Sequence, residues 1–182
     1  GETARKVPIL PDKVNIEFLS DYIDSNKKLN IPVGVEKNSL NVHYYPFYAH
    51  YINMIMSSGL ECRDFVADLV TLIASSTEIN GVVFDMPKNI ETSGKLKVFN
   101  TAKECEENID VLFEQVLYRN NTYKEAIEKQ EKVEDFENIF VIINSLSLLK
   151  AGLSEQGNEK LALILEKGTK EYSVNIVIAE QA

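Results

Sequence analysis

From Ile139 to Ile143 the chain reads IFVII, an unbroken apolar run in which every residue but Phe140 is β-branched. A strand with one wet face would alternate apolar and polar residues, so such a run fits a strand covered on both faces, as in a parallel sheet. Similar short runs occur at Ile52–Met56, Gly81–Asp85, Leu96–Phe99 and Asn175–Ala179. Between them lie helix-length segments, Arg63–Ser75, Ala102–Tyr118, Tyr123–Lys132 and Asn158–Lys167. Strands alternating with helices predict an α/β chain: a mostly parallel sheet with right-handed crossovers and helices on both faces.

The Ala102 helix carries the clearest local signals. Thr101 and Glu104 form a capping box, and Cys105, Ile109, Leu112 and Val116 follow on one helical face. Gly168 suits the C′ position behind a helix ending at Lys167. Residues 1–50 differ in texture and hold Pro8, Pro11, Pro32 and Pro46. They read as a lead-in: an extended PILP segment, a short helix in VNIEFLSDYI, and a hairpin turning at Glu36–Ser39. The expected organisation is a single domain over 1–182, with an α/β core from residue 51, forming a piece of a longer protein.

The 182 residues are long enough for one substantial core. A net charge of −9 disfavours nucleic acid as a partner, because a polyanion would be repelled. Cys62 and Cys105 have no metal spacing and suggest a reducing compartment. No apolar run reaches the roughly 18 residues of a membrane helix, so direct membrane insertion is not expected.

The segment INMIMSSGLECRDFVADLV has the layout of strand, phosphate loop and helix. A working P-loop reads G-x-x-x-x-G-K-[ST]: glycines let N–H groups converge on phosphate, the lysine reaches the β/γ oxygens, and the hydroxyl holds Mg²⁺. In that register Ser57 and Cys62 replace the outer glycines, Arg63 the lysine and Asp64 the hydroxyl, while Gly59 remains inside the loop. Arg63 keeps the charge without the compact ammonium geometry, and Asp64 and Glu61 oppose a triphosphate. A second motif needs an apolar strand ending in Asp. Here Asn144 ends it, and Ser145 stands where a catalytic acid would polarise water. Asp85 is the one acid at a strand's C-terminal end, and a loop cap is its plainest role.

Together these residues resemble the FtsK/SpoIIIE family of P-loop motor ATPases, and within it the C-terminal ATPase domain of the EssC/EccC motors of bacterial type VII secretion. The likeness is carried by VPILPDKV, IPVGVEKNSLNVHYY, INMIMSSGLECRDFVADLV, GVVFDMPKN, FEQVLYRNNTYKEA, NIFVIINSL and VNIVIAEQA, in that order along nearly the whole chain. The resemblance implies a RecA-like fold, a cytoplasmic placement in a membrane-anchored, hexameric parent, and helical exported proteins and neighbouring ATPase domains as partners. Active relatives carry a Thr-Gln pair where this chain has Glu180-Gln181.

The departures coincide with the chemistry. The expected function is therefore a degenerate ATPase that binds partners without efficient hydrolysis, with any ATP and Mg²⁺ held weakly at Ser57, Gly59, Cys62, Arg63, Asp64 and Asn144. The alternatives are a slow ATPase using Arg63 and Asp85 in other roles, and a structural cap on an oligomer. The aromatic stretch Tyr44, Tyr45, Phe47, Tyr48 and Tyr51 is a candidate partner surface, with cover over the sheet edge as its plainer reading. His43 and His50 lack companion ligands for a metal. Arg119 is read as a cation closing a helix C-terminus, or as a residue serving a neighbouring site.

Overall fold

The computed structural model describes residues 30–35, 42–46, 52–57, 67–72, 81–91, 96–133, 135–168 and 172–181. Strands β1 (Asn30–Val35) and β2 (Val42–Pro46) form the expected antiparallel hairpin, with a register irregularity between Pro32 and Gly34. The expected helix in VNIEFLSDYI lies outside the described residues. Five further strands, β3 (Ile52–Ser57), β4 (Gly81–Asp85), β5 (Lys97–Phe99), β6 (Ile139–Asn144) and β7 (Val174–Gln181), build one sheet in the order β3-β7-β6-β4-β5. Every pairing in it is parallel.

The apolar runs have the physical role their composition implies. Phe84, Val141, Ile143, Ile176 and Ile178 face one side and join the main core. Their strand neighbours Val83, Phe140, Ile142 and Val177 are also buried, so both faces of the sheet are covered. The described part of the Arg63–Ser75 segment, residues 67–72, is helical and buries Leu69, Val70 and Leu72. At the start of β4, a Cβ on Gly81 would stand 2.8 Å from the Phe140 carbonyl oxygen and 2.7 Å from Leu96 Cδ2. Only glycine lets β4 and β6 approach there.

Helix α1 runs from Ala102 to Glu128, 27 residues without interruption. The Thr101 hydroxyl accepts from the Glu104 N–H and donates to the Glu104 carboxylate, and Cys105, Ile109, Leu112 and Val116 are buried as their spacing predicts. From the sequence this helix is expected to stop at Tyr118 and restart at Tyr123. The structure corrects that, and the cause is tertiary. Tyr172 donates its hydroxyl to Asn120 Oδ1 (2.7 Å), its carbonyl receives the Arg119 guanidinium (2.6 Å), and its ring packs edge-on against Tyr123. Three consecutive polar residues, Asn120, Asn121 and Thr122, are thereby carried through as helix. Arg119 consequently lies inside α1, not at a C-terminus.

Helix α2 (Leu146–Gly152) follows β6 directly and has no counterpart among the sequence expectations; seven residues are too few for a legible period. Helix α3 (Glu155–Leu163) starts three residues before the expected Asn158, because Ser154 caps it through the Gly157 N–H. Gly157 is tolerated in that first turn because the Glu106 carboxylate occupies the place of a Cβ, with Oε2 2.5 Å from it. A π turn, Ile164–Gly168, closes the segment. Gly168 belongs to that turn and is not a left-handed C′ residue: it packs closely on α1, where a Cβ would lie 3.1 Å from Val116 Cγ2.

Candidate functional site

The parallel register brings four strand ends to one edge of the sheet, with β3 and β7 running two residues beyond β6 and β4. Ser57 pairs with Gln181, Ala179 with Asn144, and Asn144 with Asp85. Strand β7 therefore separates the loop-bearing β3 from β6. In open α/β sheets this carboxyl edge is where ligands sit. Of the residues expected to hold nucleotide, Ser57 ends β3 and Asn144 ends β6. Gly59, Cys62, Arg63 and Asp64 lie outside the described residues.

Asp85 is fully buried. Its Oδ2 accepts from the Ile90 N–H (2.8 Å), and its Oδ1 from the Asn89 N–H (3.3 Å) and from Asn144 Nδ2 (2.9 Å). The carboxylate thus folds the turn after β4, where Lys88 has φ 57°, and ties it to β6. This is the loop-cap role read from the sequence. Asn144 contributes an amide donor where an acid would set two carboxylates against each other without a proton or cation to separate them.

Next in sequence, Ser145 has φ 66° and ψ 93°, a conformation that costs a non-glycine residue about 1–3 kcal/mol unless its surroundings enforce it. They do: its N–H donates to the Ala179 carbonyl (2.8 Å) and its hydroxyl accepts from the Leu148 N–H. Glu180, on β7, completes the arrangement. Its carboxylate receives the Ser147 N–H (3.0 Å), the Ser147 hydroxyl (2.8 Å) and the Ser145 hydroxyl (3.2 Å). Burial pushes the Glu180 carboxyl up, and the donors from Ser147, Ser145 and the Leu146 backbone outweigh it, leaving the group below the ordinary glutamate value. The first turn of α2 is thus closed by a carboxylate from the same chain. The sequence reading marked Glu180 only as a departure and did not identify Ser147; serines opening a helix were the available signal.

A Mg²⁺–nucleotide needs oxygen ligands free to converge on the metal. On the β6 side of this edge the donor set does not fit one. Asp85 faces three N–H donors, Glu180 faces α2, and the Asn144 amide points at Asp85. Among the described residues no group of three or more His, Cys, Asp and Glu side chains could hold a metal ion.

Arg119 and Cys105 are placed elsewhere. The Arg119 guanidinium lies 5.2 Å from the centre of the Phe136 ring and is bonded to the Tyr172 carbonyl, so it works inside its own domain. Cys105 is buried against Phe99 and Met86, and burial, with help from Glu104 and Asp85, pushes its thiol up to about 11. That thiol is no nucleophile at neutral pH.

No protein-family model matches the sequence, and no curated protein matches it. Solved structures do. The cytoplasmic domain of EssC superposes with a TM-score of 0.76 at 11% identity, over 96% of this chain and 36% of its own. The fold is that of the EssC and EccC ATPase domains. Thermomonospora curvata EccC (ATPases 2 and 3), in complex with a signal sequence peptide, matches with a TM-score of 0.59 at 14% identity, over 100% of this chain and 34% of its own. The pCW3 conjugation coupling protein TcpA, solved with ATPγS, matches with a TM-score of 0.56 at 15% identity, over 85% of this chain and 48% of its own. This chain spans less than half the length of each of these proteins. At such identities the likeness to EssC, EccC and TcpA is one of fold. The helices that are long and apolar enough to cross a membrane number none among the described residues.

Proposed function

We propose that this chain is a degenerate ATPase domain of a type VII secretion motor, which serves protein export by binding rather than by hydrolysis. The observation that carries the reading is the Asn144–Asp85 hydrogen bond. The strand that should end in a metal-binding acid ends in an amide already paired to a buried carboxylate. Glu180 adds to it by filling the neighbouring helix terminus. In this reading residues 1–182 form one RecA-like domain of a larger, membrane-anchored protein, on its cytoplasmic side. Ser57, Gly59, Cys62, Arg63, Asp64 and Asn144 are then the remnant of a nucleotide cradle. The partners are helical exported proteins and the neighbouring ATPase domains of a hexameric parent. The EccC structure with a signal sequence peptide supports that class of partner.

Calorimetric titration with ATP and Mg²⁺ tests the reading. A carboxylate beside a triphosphate opposes binding by several kcal/mol at an effective dielectric near ~20, and each ~1.4 kcal/mol is tenfold in affinity. The expected dissociation constant is about millimolar or weaker, with no hydrolysis above background. The combined change Cys62→Gly, Arg63→Lys, Asp64→Thr should recover some binding. Micromolar affinity in the unaltered domain overturns the proposal.

A further inference from the structure

On its solvent side α1 carries two large apolar residues two helical turns apart, Val111 at 54% and Tyr118 at 71% exposure. Neither is needed for the core, which α1 meets through Cys105, Ile109, Leu112 and Val116. Beside them the segment after α1 folds back and sets Phe136 against the helix, making two adjoining hollows of about 570 and 420 Å³ that share Tyr118 and Phe136. Val111 and Phe136 thus line the groove on either side of Tyr118, and the apolar strip from Val111 to Tyr118 runs along the helix axis for about 11 Å, the rise of two turns.

The rim is acidic. Asp110 is paired with Lys160, and Arg119 is turned onto Tyr172 and Phe136. Of the other charged side chains lining the two hollows, four are carboxylates, Glu114, Glu125, Glu131 and Asp135, against Lys129, Lys132 and the Arg119 guanidinium, which keeps its charge, so the local acidic excess is one. The whole chain adds a net charge of −9. That field opposes a second copy of this chain and any nucleic acid, and attracts a cationic face.

We infer that the groove between α1 and the Phe136 segment docks a basic amphipathic helix from another protein. Two aliphatic side chains seven residues apart on that helix would enter the hollows on either side of Tyr118, and flanking lysines or arginines would meet the rim. This rests on the partner-binding reading above and gives it a surface: neither the vacated loop nor the Tyr44–Tyr51 stretch, but the far side of α1.

The probe is a fluorescein-labelled synthetic peptide of about 18 residues, made of leucine and lysine with leucines at i, i+3, i+4 and i+7, followed by anisotropy. Expected is saturable binding on the order of tens of micromolar, weakened severalfold when salt rises from about 0.05 to about 0.5 M. The double variant Tyr118→Ala/Val111→Ser should weaken it at least about fivefold with an unchanged melting curve, since it alters no charge and removes only exposed side chains. An affinity within about twofold of the parent in that variant would show attraction by net charge alone and overturn the inference. Equal binding of the leucine–glutamate counterpart, or no binding of the leucine–lysine peptide, overturns it as well. So does a concentration-dependent dimer of the domain abolished by the same two substitutions, which would make the occupant a second copy. ATP titration is independent of all these outcomes, so tight nucleotide binding would fail the parent reading without touching the groove result.

Discussion

Asn144 and Asp85 stand side by side on adjacent parallel strands, and the amide of one donates to the carboxylate of the other over 2.9 Å in a buried setting. Asn144→Asp replaces that donor with a second acid. Two buried carboxylates at hydrogen-bond distance cannot both ionise without compensation. We expect a loss of about 2–3 kcal/mol, and a melting temperature lower by about 4–12 °C for a domain of this size. Millimolar Mg²⁺ should restore part of it by bridging the pair. Unaltered melting in metal-free buffer would refute the structural role assigned to the amide.

Glu180→Gln tests the carboxylate over α2. The folded-state pKa is depressed, so the ionised group contributes stability that is present above the ordinary glutamate value and lost as pH falls through the folded value. Partial exposure discounts the effect to about 1 kcal/mol. Urea denaturation at pH 7 should find the variant less stable by that amount, and the gap should narrow as pH falls below the ordinary glutamate value and close once it has passed the lower folded-state one. A gap that is constant with pH would mean that shape, not charge, is what the site requires.

Gly81→Ala adds one methyl group where β4 meets β6. One of the atoms it would strike, the Phe140 carbonyl oxygen at 2.8 Å, is backbone of a fully covered strand. The expected cost is about 2–3 kcal/mol, read from denaturant midpoints. A neutral or stabilising result would show that the two strands can part without penalty.

Cys105 supplies a probe of opening. In a Cys62→Ser background, a thiol raised to about 11 and buried should react with a disulfide reagent only as fast as the domain unfolds. The reaction should accelerate with denaturant in step with the loss of secondary structure. Rapid reaction in native buffer would contradict the packing of Cys105 beneath Phe99.

The sheet was legible because its strands are short, β-branched and bounded by turn residues. IFVII and GVVFD keep their meaning in any surroundings that cover both faces. Helix α1 was legible at its start, where Thr101 and Glu104 signal locally, and not at its end. What carries it past Asn120 is Tyr172, 52 positions along the chain. Helices α2 and α3 were obscured for a related reason. Their first turns are closed by Glu180 and Glu106, acids brought from β7 and α1, and Gly157 looks like a break until Glu106 is seen in its place. Asn144 was found from the sequence, but its partner was not: nothing local announces that the end of β4 will lie beside the end of β6.

The placement of β7 has a consequence for how the chain comes together. It enters between β3 and β6, and β3 has no other partner among the described strands; Ile52 finds its neighbour only at Ile176. During synthesis β3 must therefore wait, an open edge with Met54 and Ile55 in its sequence, until β7 has left the ribosome. A chain cut short before Val174 would strand it permanently, and such fragments should collect as aggregates rather than as smaller folded domains.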